Sequence, residues 1–235
     1  MNYSEIAEKI SSELQLNSPP IALSFVETIP AGIQIFDQDV PSACSFWQKA
    51  ESNVFYASAE KHFNCPIGAM TMGFDIPDDV QQDLMGLVEK MCNCNYISIE
   101  ETEKIPTLQK KKEGIVYGPL KDFPIEPDLI LIWLTPRQAM LYNETVGNIR
   151  WTAPPVTAFG RPACAALPVA FENSESTLSL GCMGMRTFTE ISGDRLLAVL
   201  PGNKAQNFLD AFESTIKANQ MMQAFYEERK AQFLR

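Results

Sequence analysis

The run "DLILIWLT" (Asp128–Thr135) constrains this chain more than any other stretch. Leu129–Leu134 is unbroken apolar, β-prone sequence between Pro127 and Pro136, with no polar face to turn to water. Such a strand is stable only with both faces covered, so it predicts the middle of a sheet with other elements packed on each side. The rest of the chain must supply that cover. Ile6, Ile10 and Leu14 fall at helical spacing and predict a helix over Tyr3–Leu14, stopped before Pro19-Pro20. A second helix begins at Pro77 and its two aspartates, with Leu84, Leu87, Val88 and Met91 as its apolar face. "PRQAMLYNETVG" predicts a third helix with Pro136 at its first position, and residues 203–233 predict a long amphipathic helix on Phe208, Phe212 and Ile216. Met222 and Phe225 prolong that stripe and make a homodimer an expectation.

The runs "IALSFV", "NVFYAS", "GIVYGPL" and "RLLAVLPG" read as strands. Ser42 is the expected N-cap of a short helix carrying Phe46, Trp47 and Ala50, and "EKHFNCPIGAMTMGF" reads as a loop. With 46% apolar residues a substantial core is within reach. Interspersed helices and strands, with no GxGxxG or GxxxxGK[ST] turn, predict an α+β (mixed α/β) fold, as a single compact domain over residues 1–235.

A net charge of −10 argues against nucleic acid as a partner, and "KKKE" (Lys110–Glu113) is too short to offset it. The N-terminus lacks the basic and apolar regions of a signal peptide. No apolar run approaches the roughly 20 residues of a membrane span. The expectation is a cytoplasmic protein with no membrane partner.

That setting decides how the six cysteines are read, because reducing conditions favour metal ligands, redox sites or core thiols over disulfides. Four of them recur in a pattern. "ACSFWQKAESNVFYASAEKHFNCPIGAM" (residues 43–70) and "ACAALPVAFENSESTLSLGCMGM" (residues 163–185) each open Ala-Cys, pass through a short helix and a strand, and reach a second Cys followed by Gly and Met. The intervals, Cys44 to Cys65 and Cys164 to Cys182, are 21 and 18 positions. Two such units packed about a pseudo-twofold axis would bring four thiols to one centre, and four thiolates signify an iron–sulfur cluster or zinc. The chain has no CxxC knuckle of the kind structural zinc favours, so the reading leans to a cluster, of the [4Fe–4S] type.

Gly68, Gly181 and Gly184 would let backbone amides approach such a cluster, while Phe46, Trp47 and Phe63 would keep it dry. Arg161 and Arg186 flank the second unit, where a guanidinium can lower a thiol pKa or grip an anion; an ordinary surface salt bridge is the alternative. The single histidine, His62, is by default a surface or capped residue, with a ligand or proton-transfer role as the sharper alternative. Cys92 is expected in the core and Cys94 to be incidental.

The segments "RPACAALP", "STLSLGCMGMR" and "AVLPG", with "ACSFW" and "NCPIGA" upstream, resemble the domain-of-unknown-function family one-six-nine over nearly the whole chain. That resemblance implies a shared site at the cysteine and glycine positions and supplies no reaction. The residues themselves predict a protein with a redox, sensing or cluster-supported catalytic role, acting with a redox partner or a small molecule. Two readings stand beside it: a thiol-dependent enzyme or small-ligand-binding protein without metal, in which Cys182 is the leading nucleophile, and a module whose cysteines are core.

Overall fold

The computed structural model describes residues 2–109, 112–147 and 155–233; Lys110 and Lys111 of the basic run lie outside them. In chain order the elements are α1 (Tyr3–Leu14), β1 (Ile21–Val26), α2 (Cys44–Lys49), β2 (Phe55–Ser58), α3 (Pro66–Thr71), α4 (Asp78–Asn93), α5 (Ile99–Thr102) and β3 (Gly114–Pro119). There follow β4 (Leu129–Leu134), α6 (Pro136–Val146), β5 (Thr157–Phe159), α7 (Ala166–Asn173), β6 (Thr177–Ser179), α8 (Met183–Phe188), β7 (Leu196–Pro201) and α9 (Ala205–Phe233). The fold is mixed α+β.

The strands form one seven-stranded sheet in the order β2-β3-β1-β4-β7-β6-β5, and β4 is its fourth strand. Every residue of β4 is buried, as an apolar run without a polar face demands. Its alternate residues divide between two cores. Leu129, Leu131 and Trp133 join the core beneath the cysteine-bearing elements. Ile130, Ile132 and Leu134 meet α1, α6 and α9 on the other face, through Ile10, Tyr142 and Phe212 among others.

The strand order reads alike from either side of the β1–β4 contact. Going outward from β1 come β3 and β2; going outward from β4 come β7 and β6, all paired antiparallel. The helix–strand–helix segment α2-β2-α3 lies in sequence between β1 and β3, and α7-β6-α8 lies between β4 and β7. The two cysteine segments thus hold equivalent places in the sheet. The seam between the halves is short: β1 and β4 register over three pairs, against six for β1–β3 and six for β4–β7. Side chains extend it, since Ser24 Oγ donates to the Glu126 carbonyl at 2.8 Å and the Phe25 N–H donates to the Asp128 carboxylate at 2.8 Å.

Several local expectations need correction. The "loop" after β2 contains a 3₁₀ turn (Ala59–His62) and the helix α3, which is too short for a 3.6-residue period to declare itself. Ser42 does not cap α2: Ala43 holds that position, and Ser42 Oγ instead meets Ser45 Oγ at 3.2 Å. The last helix starts at Ala205, after a 3₁₀ turn over Gly202–Lys204. Its distal turns carry Met222 and Phe225 exposed to solvent, past the end of the core.

Where α6 begins, Thr135 and Gln138 form a reciprocal capping box, and Gln138 Nε2 also donates to the Leu14 carbonyl at 2.7 Å, tying α6 to the end of α1. Thr135→Ala removes the side-chain acceptor for the Gln138 N–H and is expected to cost about 1 kcal/mol in urea unfolding. A loss well under half that figure would show that the Gln138 contacts alone hold the helix end.

Candidate functional site

Each cysteine segment places its thiols in the same way. Cys44 opens α2, and Cys164 lies in a 3₁₀ turn (Ala163–Ala165) that leads into α7. Cys65 is the residue before α3, and Cys182 the residue before α8, where its sulfur accepts the Met185 N–H at 3.5 Å. All four line one cavity of about 400 Å³. Cys92 and Cys94, at the end of α4, do not line it.

Two glycines shape this arrangement. A Cβ on Gly68 would stand 2.9 Å from the Ala43 Cβ and 3.0 Å from Cys65 Sγ, so a bare backbone lets α3 close against the start of α2. Gly181 holds φ at +86°, which a side chain would strain, and this turn delivers Cys182 to the cavity. Gly184 lines the cavity but is under no such constraint, its Cβ position lying 3.9 Å from Cys182 Sγ.

The thiols are within electrostatic reach of one another. Burial pushes the Cys44 thiol well up, and charge on Cys164, Cys65 or Cys182 would push it further. Cys164 is raised by burial first and by Cys65 and Cys182 next. Cys65 is raised by burial, opposed by hydrogen bonds from the Ala43 and Gly68 backbone. Among the described residues, no three His, Cys, Asp or Glu side chains form a group that could hold a metal ion. The four sulfurs share a cavity without converging on one point.

Behind them the site is dry and aromatic. Phe46 and Trp47 are fully buried and Phe63 packs partly buried against the same core. His62 is buried in that layer, 1% exposed, and so is neither a surface residue nor a loop residue. Its Nδ1 lies 2.8 Å from the Ser58 carbonyl and its Nε2 3.0 Å from the Tyr117 hydroxyl. A carbonyl only accepts, so Nδ1 carries the proton and Nε2 accepts from Tyr117. The Tyr117 hydroxyl is pushed well up by burial, then by charge on Cys44 and Cys164, which share its core. Thr71 is wholly buried, its hydroxyl makes no hydrogen bond among the described residues, and its influence on Cys164 offsets part of the rise that burial imposes on that thiol.

The two arginines part company. Arg186 does not line the cavity; its guanidinium donates to the carbonyls of Ser192 at 2.7 Å, Leu180 at 2.9 Å and Arg195 at 2.7 Å, clamping the loop around Gly181. Arg161 does line the cavity, with its guanidinium 4.3 Å from the Tyr96 ring centroid. Tyr117, Thr71 and Tyr96 were not singled out by sequence reasoning. Tyr117 had a usable signal: a phenol in a strand as apolar as "GIVYGPL" must find a buried partner for its hydroxyl.

Among the described residues no helix is long and apolar enough to cross a membrane. The chain is 24% identical over 222 residues to Uncharacterized protein MJ0308 of Methanocaldococcus jannaschii, an alignment spanning 89% of this chain and 93% of that one. No solved structure matches it. A family model matches residues 9–211, a span that takes in both cysteine segments and both halves of the sheet. The chain therefore belongs to the DUF169 family, described as uncharacterised ArCR.

Proposed function

We propose that this protein holds an iron–sulfur cluster of the [4Fe–4S] type on Cys44, Cys65, Cys164 and Cys182, and that it serves a redox, sensing or cluster-supported catalytic role in the reducing cytoplasm. The observation that carries this reading is that equivalent places in the two halves of the sheet bring four thiols to one cavity. Tetrahedral zinc would draw four sulfurs to about 2.3 Å from one ion. A polynuclear cluster, with each sulfur on a different iron, does not require the four sulfurs to meet at one ion.

The surroundings fit an anionic sulfur centre. The Thr71 hydroxyl offsets part of the rise that burial imposes on Cys164, and the apolar shell of Phe46, Trp47 and Phe63 limits solvent access. The raised thiols keep their protons until a metal displaces them, so cluster uptake would release protons. The same raised values weigh against Cys44, Cys65 or Cys164 as nucleophiles, which need the thiolate at neutral pH.

The test is the iron, zinc and acid-labile sulfide content of protein purified anaerobically, with its visible spectrum. The expected sample is brown with near-stoichiometric iron and sulfide, and Cys164→Ala and Cys182→Ala each lose most of both. A colourless protein with zinc, or with no metal after anaerobic reconstitution, overturns the reading.

A further inference from the structure

The cavity is larger and more apolar than four thiols require. Its volume, about 400 Å³, falls in the range of small-molecule pockets. Beyond the sulfurs its walls include Leu87 and Met91 of α4, Ile97, Ile105 and Phe188. The helix α4 is unusual in this respect. Of its sixteen residues only Val80 is buried, and two residues of its apolar face, Leu87 and Met91, line the cavity. Leu87 and Met91 remain half-buried there, with no further cover among the described residues.

Among the described residues two charged side chains line the walls, Arg161 and Glu101. Glu101 is committed, since its Oε2 accepts the Ser98 N–H at 2.7 Å in the capping box of α5. Arg161 is held on one face by Tyr96, and among the described residues no carboxylate pairs with it. A stacked guanidinium keeps its planar fork of N–H donors in a fixed direction, the geometry that matches a carboxylate. One guanidinium balances one negative charge, and among the described residues no second cation lines the cavity to meet a phosphate dianion.

We propose that this cavity binds a small molecule that is apolar apart from a single carboxylate, with the carboxylate on Arg161 and the apolar body against Leu87, Met91 and Phe188. That the bound molecule lies beside a cluster rests on the reading above; the binding itself rests on the cavity.

Octanoate, 1-octanol and octylammonium are the probes, titrated calorimetrically into the full-length protein before and after anaerobic cluster reconstitution. Iron and sulfide are assayed on the same samples. Octanoate is expected to bind one per chain and more tightly than either analogue, and Arg161→Gln to weaken it about tenfold while leaving octanol within about twofold. Met91→Trp, which puts a bulkier ring on the cavity wall and leaves Arg161 in the sequence, is expected to abolish octanoate binding while thermal melting shows a folded protein. Equal affinity for octanoate and octanol, an Arg161→Gln variant that binds octanoate like the wild type, or no binding at all overturns the proposal. Arginine-dependent octanoate binding by a protein that never takes up iron sustains this site while the cluster reading falls; an iron-loaded protein that ignores octanoate does the reverse.

Discussion

Truncating Trp47 to alanine is expected to lower the free energy of unfolding by about 3 kcal/mol, within the range of about 3–5 kcal/mol seen for large aromatic truncations. The ring is fully buried on α2, 6.2 Å from the Trp133 ring centroid, and bridges the first cysteine segment to β4. The cost is expected at the low end because the Trp47 indole N–H is buried without an acceptor, and its removal returns part of the loss. Trp47→Phe deletes the stranded donor and keeps most of the packing, so it is expected to cost less than about 1.5 kcal/mol. Urea denaturation of the three proteins measures both differences. An alanine variant within about 1 kcal/mol of wild type would mean that the layer beneath the thiols is loosely packed.

The second large effect depends on pH. Burial holds the His62 imidazole at a pKa of about 4, against 6.5 for an ordinary histidine. Between those values the unfolded chain takes up a proton that the folded protein refuses. Unfolded protein thus binds more protons, and stability rises with pH across that window. The contribution is complete above pH 6.5 and is lost as pH falls towards 4, by about 3 kcal/mol at about 1.36 kcal/mol per pH unit. Since His62 is the only histidine, His62→Gln removes this titration entirely. The difference in unfolding free energy between wild type and variant should therefore shrink or reverse by about 3 kcal/mol from pH 7 to pH 4, while carboxylate titrations common to both cancel. Parallel stability curves for the two proteins would refute the assignment of a neutral, buried imidazole.

What the chain disclosed about itself follows from how local each signal is. The position of β4 was legible because six buried residues in a row admit only one kind of environment. The helices α1 and α6 were legible from spacing and from prolines at their boundaries. The two cysteine segments share an order of Cys, strand, Cys, Gly and Met in the sequence, and they occupy equivalent places in the strand order. The burial of His62 was not legible, because it depends on rings brought from Phe46, Phe74 and Tyr117, which are remote in sequence. Nor could a flanking-residue argument separate Arg186 from Arg161. Which guanidinium is consumed depends on whether the carbonyls of residues 180, 192 and 195 fold around it. The apolar face of α4 was legible too, but periodicity reports only that a face seeks cover, not whether the cover is core or cavity.

The short seam between β1 and β4 sets the mechanics of the sulfur quartet. Cys44 and Cys65 ride on the half built around β1, Cys164 and Cys182 on the half built around β4, and the halves meet through three registered strand pairs, side-chain hydrogen bonds and the core in which Trp47 packs on Trp133. A shear along that line would carry one couple of sulfurs past the other while leaving the spacing inside each couple intact. The distance across the cavity, from either thiol of one segment to either thiol of the other, is thus a gauge of how the two halves are aligned.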